Sequence, residues 1–452
     1  MEMRSASTLE GAASIVLVLV VVLDLANVYH HPNESLGLLT VSGYRKSQLM
    51  VPLLSDKTLQ RLDRRLEQSE PQLISFRRHV HQFPELSGNE TGTARFISQV
   101  LADASIAHRL VTNGCGIICD IVHSPDPAAP VIALRADIDA LPIQEETDTV
   151  YRSQNLGVMH ACGHDAHTAM LMSTALALKP ENGLPFSWRA IFQPCEEEGQ
   201  GARQLVQAGA LDGVDAILAL HVDPNREIGK VGITPGPRTA FCRDFVIEVR
   251  GQGGHAARPY TTIDPIAAAA HLVTLIYQAL PRRADARDPL VVTVGMIQGG
   301  QTSNVIPDLV TLKGTIRALR REVAMDASAN LEQLAEATAR AFKTEVKVTF
   351  KNLLNGLVNN ESIAIACAEV AREFLGAENV FCNDPPSLGG EDFADYVTEV
   401  PGCMLSLGVA SQQSEKTPLH TATFNLNEAA LLIGTKLLAR CLFKWRGKKG
   451  TV

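Results

Sequence analysis

The chain has 452 residues, a length that favours two domains over one ordinary core. With 46% hydrophobic and 5% aromatic residues it has the composition of an α/β enzyme rather than of a repeat or fibrous protein. The formal net charge of −8 argues against nucleic acid as the main partner, since the basic residues form no stripe apart from a short tail at residues 446–452.

An apolar run lies near the amino terminus at residues 15–23, preceded by Arg4 and followed by Asp24. Such a run is short for a membrane-spanning helix and favours a signal-peptide core, with an uncleaved anchor as the alternative. Residues 1–54 are therefore interpreted as a signal or anchor segment and a linker. We expect a protein of the secretory pathway that is secreted, periplasmic or anchored through this segment, and the alternative is a cytoplasmic protein.

The following segments alternate between helices and buried strands. Apolar residues at helical spacing predict a helix at 58–80, interrupted near Pro71, and another at 90–104. The remaining elements of this half are helices at 166–178 and 201–208 and strands at 117–122, 131–135, 189–192 and 216–220. Continuous apolar strands of this kind are typical of a parallel sheet that is buried on both faces.

Polar residues follow three of these strands. The carboxyl ends of the strands form the edge at which open α/β sheets bind their ligands. They are Asp137 and Asp139 after 131–135, Glu196, Glu197 and Glu198 after 189–192, and His221 after 216–220. Adjacent carboxylates repel one another unless one binds a cation or a proton. The repulsion would be relieved if one of these glutamates bound a metal ion and another served as general base. Asp139 is interpreted as a group that orients a metal-bound imidazole.

This pattern alone is also compatible with purely structural roles for the same residues. Asp139 can equally be a helix N-cap or turn aspartate, and the three glutamates can form a solvated acidic turn. His221 can be a structural histidine.

Residues 159–167 concentrate three histidines, a cysteine and an acid where a loop meets the helix predicted at 166–178. Cys162 and His164, two residues apart, are able to bind the same ion, since thiolate and imidazole are good ligands for zinc and its neighbours. The alternative is a buried cysteine with capping and core histidines. The nine cysteines are scattered and indicate no small disulfide scaffold.

From residue 238 the order becomes strand, helix, strand, strand, helix, strand, which is that of a ferredoxin-like unit. Its predicted elements are strands at 241–250, 290–297, 309–318 and 345–351 and helices at 264–280 and 326–342. The glycine-rich stretch at 251–254 presents His255 on a loop and lacks the lysine of a phosphate loop. Asn304 and Arg317 add an amide and a guanidinium suited to a carboxylate.

The chain then returns to the first domain through helices at 361–374 and 427–442. His420, between a strand and a helix, is well placed as a final ligand distant in sequence from the others. The predicted divisions are a signal or anchor segment and linker at 1–54, a first catalytic segment at 55–237, the inserted domain at 238–351, a second catalytic segment at 352–445 and a basic tail at 446–452.

Five motifs occur in order within residues 58–445: Leu-Arg-Ala-Asp-Ile-Asp-Ala-Leu-Pro, His-Ala-Cys-Gly-His-Asp-Ala-His, Phe-Gln-Pro-Cys-Glu-Glu, Gly-Gly-His-Ala-Ala and Glu-Asp-Phe. Together they resemble the metal-dependent amidohydrolases of the aminoacylase and carboxypeptidase group. The nearest branch looks like the one with hippurate hydrolases, N-acetyl-diaminopimelate deacetylases and plant auxin-conjugate (indoleacetyl-amino acid) hydrolases. The combination is highly specific for this group.

The resemblance implies an α/β fold with a larger mixed-sheet metallohydrolase domain, helices on both its faces, and an inserted ferredoxin-like α+β lid or dimerisation domain. It also implies two divalent metal ions per subunit, Mn²⁺ or Zn²⁺, with Glu196 as general base. The implied ligands are Cys162, His164, Glu197, His221 and His420. His255 would polarise the substrate from a lid that reaches the site of a neighbouring subunit in a homodimer.

We therefore predict an amidohydrolase that cleaves the amide bond of small N-acyl amino acids. Metal-activated water would attack the amide, and Glu196 would carry its proton to the leaving amine. The alternatives are a dipeptidase or carboxypeptidase on the same scaffold and a membrane-tethered metal-binding homologue without catalysis. Retention of every implied ligand together with Glu196 argues against the second alternative.

Overall fold

The computed structural model describes residues 56–411 and 417–444. The apolar run at 15–23, the linker and the basic tail at 446–452 lie outside these residues. Within the portion of the chain that is described, no helix is both long and apolar enough to cross a membrane.

Ten α-helices are formed by the described residues. In chain order they are α1 (Asp56–Gln68), α2 (Glu70–Gln82), α3 (Thr91–Asp103), α4 (His164–Leu178), α5 (Gly201–Gln207), α6 (Pro265–Arg283), α7 (Arg321–Phe342), α8 (Glu361–Leu375), α9 (Phe393–Val397) and α10 (Ala429–Lys444). The helix predicted at 58–80 is divided at Ser69. Pro71 lies in the first turn of α2, where its missing N–H costs no helical hydrogen bond.

The strands belong to two larger sheets and two short pairs. In chain order they are β1 (Arg109–Val111), β2 (Gly116–Ile121), β3 (Val131–Asp137), β4 (Ser187–Gln193), β5 (Ala216–Glu227), β6 (Val231–Gly232), β7 (Gly236–Pro237), β8 (Phe241–Arg250), β9 (Gly254–His255), β10 (Leu290–Gly299), β11 (Val305–Ile306), β12 (Leu309–Ala318), β13 (Glu345–Leu354), β14 (Val358–Asn359), β15 (Val380–Phe381) and β16 (Gly402–Ala410).

The large sheet has the order β1-β2-β4-β3-β5-β16-β6-β15. Its centre, β4-β3-β5-β16, is parallel, whereas β1, β2 and β6 pair antiparallel with a neighbour. Side chains of β3 alternate between two cores: Ile132 and Leu134 pack in the cluster that includes α1, α2, α4, α8 and α10, and Ala133 packs in the cluster that includes α5 and α9. The predicted mixed sheet with helices on both faces is therefore confirmed.

The inserted unit, residues 241–354, contains an antiparallel sheet of order β10-β12-β8-β13. Helices α6 and α7 pack on it around Phe245, Ile276, Leu312 and Leu331. The order strand, helix, strand, strand, helix, strand is the one that the sequence predicts. β7 and β14, one before and one after the unit, pair antiparallel with each other where the chain enters and leaves it. Its role as a lid or dimerisation domain stays a prediction.

Candidate metal centre and active site

Predicted site residues gather at one edge of the large sheet. β3, β4 and β5 are parallel neighbours, so their carboxyl ends lie at the same edge. Asp139 follows β3, and Glu196 and Glu197 follow β4. His221 differs from the prediction, because β5 continues to Glu227 and His221 lies inside the strand, opposite Ser406 of β16.

The start of α4 is fixed by a glycine. Gly163 has a φ of 86°, and a Cβ added there would lie 2.5 Å from Cγ2 of Val222. Only glycine fits this left-handed position against the neighbouring strand. The helix begins at His164, two residues before the predicted start, and His164 lies in its first turn.

The five residues that the resemblance implies as metal ligands come together. Cys162 Sγ lies 3.5 Å from Nε2 of His221 and 3.4 Å from Nε2 of His420. Glu197 Oε1 lies 3.5 Å from Nε2 of His420 and 3.9 Å from Nε2 of His164. Two overlapping sets result, Cys162 with His164 and His221, and Cys162 with Glu197 and His420. The shared thiol lies between the two sets.

Two buried atoms of this cluster, Nε2 of His164 and Oε1 of Glu197, have no hydrogen-bond partner among the described residues. A buried polar atom without a partner costs about 1–3 kcal/mol, so each such atom calls for an explanation. Thiolate, imidazole and carboxylate together are the donors that zinc and other divalent first-row metals bind. The residues present therefore fit a divalent metal centre.

Asp139 orients one of these ligands. Nδ1 of His164 lies 2.9 Å from the Asp139 carbonyl oxygen and 3.1 Å from its Oδ1, and donation there leaves Nε2 free for a metal. Oδ2 of Asp139 accepts hydrogen bonds from Ser87 Oγ at 2.7 Å and from the backbone N–H of Glu197 at 3.0 Å. The aspartate thus positions two ligands at once. It is not a helix N-cap, since the next helix after it begins at His164.

His167 is a core histidine. Its Nδ1 lies 2.6 Å from Oδ1 of Asp137, and its Nε2 accepts the backbone N–H of Val222 at 3.0 Å. Both ring nitrogens are thereby satisfied inside the protein, and the ring fastens α4 to β5. His160 is also buried, and neither of its ring nitrogens forms a hydrogen bond within residues 56–411 and 417–444. The alternative interpretation of residues 159–167 therefore describes His167, whereas His164 faces the ligand cluster.

Glu196 lies beside the ligands without sharing their hydrogen bonds. Its Oε2 is 3.9 Å from Nε2 of His164. Burial raises the pKa of Glu196 well above its ordinary value, and the carboxylates of Glu391 and Asp392 add to the shift. A raised pKa suits a group that accepts and returns a proton near neutral pH. Glu198, two residues further along, is exposed.

A buried arginine that sequence reasoning left without a role supports this edge of the sheet. Arg135 on β3 donates to Gln193 Oε1 at 2.8 Å and to Asp392 Oδ1 at 2.9 Å, and it pairs with Asp137 and with Glu391 at 3.2 Å. Burial raises the pKa of Asp137, but His164 and Arg135 overcome this effect and hold it well below its ordinary value. A charged residue inside an apolar strand was the available signal, because such a charge needs buried partners.

The site opens into a cavity of about 900 Å³. Its lining includes Cys162, Glu196, Glu197, His221, His420 and Arg317. His255 and Asn304 do not line it. His255 pairs with Val305 in the β9–β11 ribbon, and the Asn304 carbonyl oxygen accepts the N–H of Ala256 at 3.0 Å.

Arg317 and His255 lie at opposite ends of the inserted sheet. On β12, Arg317 is opposite Cys242, whereas Leu309 is opposite Arg250, which precedes the loop of His255. At about 3.3 Å per residue these ends are roughly 25 Å apart. Of the three residues predicted on the inserted unit, Arg317 alone reaches the cavity of its own chain.

Cys162→Ser is expected to lower metal affinity on the order of 100-fold or more, because the thiol belongs to both candidate ligand sets. Metal content after dialysis against a chelator, followed by elemental analysis, measures the effect. Cys195→Ser is the matched control, since Cys195 is also buried near the site but belongs to neither set. Unchanged metal content and affinity in Cys162→Ser would remove Cys162 from the ligands.

The amino-acid sequence is similar to those of known proteins. The model of peptidase family M20/M25/M40 matches residues 133–444. An N-acetyl-L-cysteine deacetylase of Bacillus subtilis (strain 168) is 38% identical over 364 residues, which cover 80% of this chain and 85% of that protein. The IAA-amino acid hydrolase ILR1-like 4 of Arabidopsis thaliana is 36% identical over 375 residues, which cover 81% of this chain and 84% of that protein.

The fold is similar to that of a solved structure. The YXEP protein of Bacillus subtilis, described as a dinuclear metal binding peptidase from the M20 family, matches with a TM-score of 0.72 and 32% identity. The match covers 83% of this chain and 98% of that one. The resemblance inferred from the motifs and the predicted hydrolase class are thereby confirmed. The chain belongs to peptidase family M20/M25/M40.

Proposed function

We propose that the protein hydrolyses the amide bond of N-acyl amino acids with two divalent metal ions, Mn²⁺ or Zn²⁺. Cys162, His164, Glu197, His221 and His420 would hold them. The observation that carries the proposal is the position of Glu196, next to ligand atoms that lack partners and at the wall of the cavity. Support also comes from relatives named as a deacetylase and an amino acid conjugate hydrolase.

Divalent ions bound at this site would supply a polarised carbonyl and a water that is acidic enough to react near neutral pH. Glu196 accepts the proton of that water and delivers it to the leaving nitrogen. Asp139 keeps His164 in the tautomer that binds through Nε2. The Arg317 guanidinium, which faces the same cavity, is suited to the carboxylate of the amino acid.

A turnover panel tests this function. Metal-loaded protein is incubated with N-acyl amino acids and with dipeptides, each with Zn²⁺, Mn²⁺ or Co²⁺, and the free amino acid is measured. Release from N-acyl amino acids in preference to dipeptides supports the proposal. Preference for dipeptides would favour the dipeptidase or carboxypeptidase alternative, and no turnover of either class would favour the homologue without catalysis.

We also propose that the protein is a homodimer joined through the inserted unit. β10 is an edge strand of its sheet, paired only with β12 among the described strands. Val291 and Ile297 on this strand are 38% and 58% exposed. An open edge with exposed apolar side chains is suited to pairing with another chain. His255 lies far from the cavity of its own chain, so in the proposed dimer it would act at the cavity of the partner subunit.

His255→Ala is expected to reduce turnover on the order of tenfold or more, since a histidine that polarises the reacting carbonyl acts in the transition state. Metal content and melting temperature should stay near wild type, because His255 is exposed and contacts no candidate ligand. The kcat of the purified variant measures the effect. An unaffected kcat would leave His255 as a loop residue.

Mixing the impaired His255→Ala protein with the Glu196→Gln protein is expected to give more activity than the two proteins show separately. In an exchanged dimer the Glu196 of one subunit meets the His255 of the other, so one of its two sites is intact. About half of the dimers in an equal mixture are exchanged, so about one site in four is intact overall. Subunit exchange is verified with two different affinity tags. Exchange without recovery would confine the site to one chain.

We further propose that the apolar run at 15–23 directs the chain into the secretory pathway, as a cleaved signal or an anchor. Amino-terminal sequencing of the protein from its native source, after separation of soluble and membrane fractions, tests this. A protein that retains residue 1 in a cytoplasmic fraction would contradict it.

A further inference from the structure

Two arginines line the cavity without forming an ion pair with any carboxylate of the described residues. Arg238 Nη1 donates to the Asp384 carbonyl oxygen at 3.1 Å, and Arg317 Nη1 donates to the Leu388 carbonyl oxygen at 2.9 Å. Among the described residues no carboxylate oxygen lies within 4.0 Å of either guanidinium. A guanidinium has five N–H donors, so each arginine keeps donors for a ligand.

Both arginines are attached to the same stretch of chain, residues 384–390. Besides its side-chain hydrogen bond, Arg238 accepts the N–H of Ser387 at its carbonyl oxygen, at 2.8 Å. Arg317 is placed by strand pairing opposite Cys242, four residues after Arg238. The two guanidiniums therefore belong to one wall of the cavity.

Arg203, unlike Arg238 and Arg317, is paired with a carboxylate. It lines the same cavity, but it is exposed and pairs with Asp395 at 3.2 Å. Arg238 is partly buried instead, and burial lowers the pKa of its guanidinium; Asp384 opposes this shift and Arg226 adds to it. The Asp384 carboxylate is itself paired with Arg226 at 2.7 Å. A partly buried cation that forms no direct ion pair is costly, so an anion in the cavity would stabilise Arg238.

We infer that the protein prefers N-acyl amino acids that carry two carboxylates, with Arg317 binding the α-carboxylate and Arg238 binding the second one. This inference rests on the proposed function and narrows its substrate class. A substrate with one carboxylate satisfies one guanidinium and leaves the other unpaired. Guanidinium and carboxylate match in shape and bind through two parallel hydrogen bonds, which a neutral amide of the same size does not reproduce.

The second carboxylate belongs either to the amino acid side chain or to the acyl group, and two substrate pairs separate these sources. One pair is N-acetyl-L-glutamate and N-acetyl-L-glutamine. The other is N-succinyl-L-alanine and N-succinamoyl-L-alanine. In one pair at least, the kcat/KM of the metal-loaded protein should be about tenfold or more higher for the acid than for the amide.

Arg238→Met should bring that ratio close to one. Arg203→Met is the matched control and should keep the wild-type ratio, because its guanidinium is already paired. If Arg238→Met lowers kcat/KM for acid and amide equally, the residue only braces residues 384–390 and the inference is wrong. A wild-type ratio near one in both pairs also overturns it.

Binding of glutarate and its monoamide gives a readout independent of turnover. Calorimetric titration should show glutarate binding about tenfold more tightly than the monoamide to wild-type protein, and equally to Arg238→Met. Equal binding by wild type would overturn the inference. If the protein hydrolyses N-acyl amino acids that have one carboxylate as fast as those that have two, the inference alone is wrong. If it hydrolyses no N-acyl amino acid, the proposed function is wrong.

Discussion

Glu196→Gln is expected to lower kcat on the order of 100-fold or more while metal content stays near wild type. Glutamine keeps the shape of the side chain but cannot accept the proton of the attacking water. Glu196 belongs to neither overlapping ligand set, and in its candidate group with His164 and Glu197 a glutamine keeps a side-chain oxygen, so the metals should remain bound. Steady-state kinetics with an N-acyl amino acid, together with elemental analysis of the same sample, measure both quantities.

Glu198→Gln is the matched control for this experiment. Glu198 lies two residues further along and also lines the cavity, but its side chain is exposed and it belongs to no candidate ligand group. Its kcat should stay within a few-fold of wild type. Near-normal turnover in Glu196→Gln would remove Glu196 from the mechanism.

Arg135→Met is expected to lower the free energy of unfolding by about 3–5 kcal/mol. Arg135 is 4% exposed, and its removal leaves Asp137, Glu391 and Asp392 buried without their cation. Methionine fills a similar volume, so lost charge rather than a cavity dominates the effect. Urea unfolding followed by circular dichroism gives the change.

Arg340→Met is the matched control, because Arg340 pairs with Glu336 on the surface of α7 and both are more than 70% exposed. Exposed pairs of this kind contribute about 0.3–0.5 kcal/mol. Equal unfolding midpoints for the two variants would show that Arg135 is not needed to neutralise the buried carboxylates. A lower midpoint for Arg135→Met alone agrees with the network described above.

Local patterns in the sequence predicted much of the catalytic edge. Apolar strands that end in polar residues pointed to Asp139 and Glu197, because parallel strands bring their carboxyl ends together. The same reasoning placed His221 after a strand, whereas β5 continues past it, since pairing with β16 extends the strand. No local pattern reports a partner that is so distant in sequence.

Other features depend on contacts that sequence periodicity does not encode. Arg135 and Asp392 are separated by 257 residues and meet only in the folded sheet. The placement of His255 depends on the direction of β8, which leads away from the cavity. The sequence therefore does not show that Arg317 and His255 lie at opposite ends of the inserted sheet.

The pairing of β5 with β16 has a consequence for synthesis of the chain. β5 is apolar over Ala216–Leu220, and in the folded sheet it is covered on one side by a strand that comes after the whole inserted unit. At about 5–20 residues per second, the ribosome needs roughly 9–35 s to reach β16. Until then β5 presents an open, apolar edge, which is the kind of surface through which incompletely folded chains aggregate.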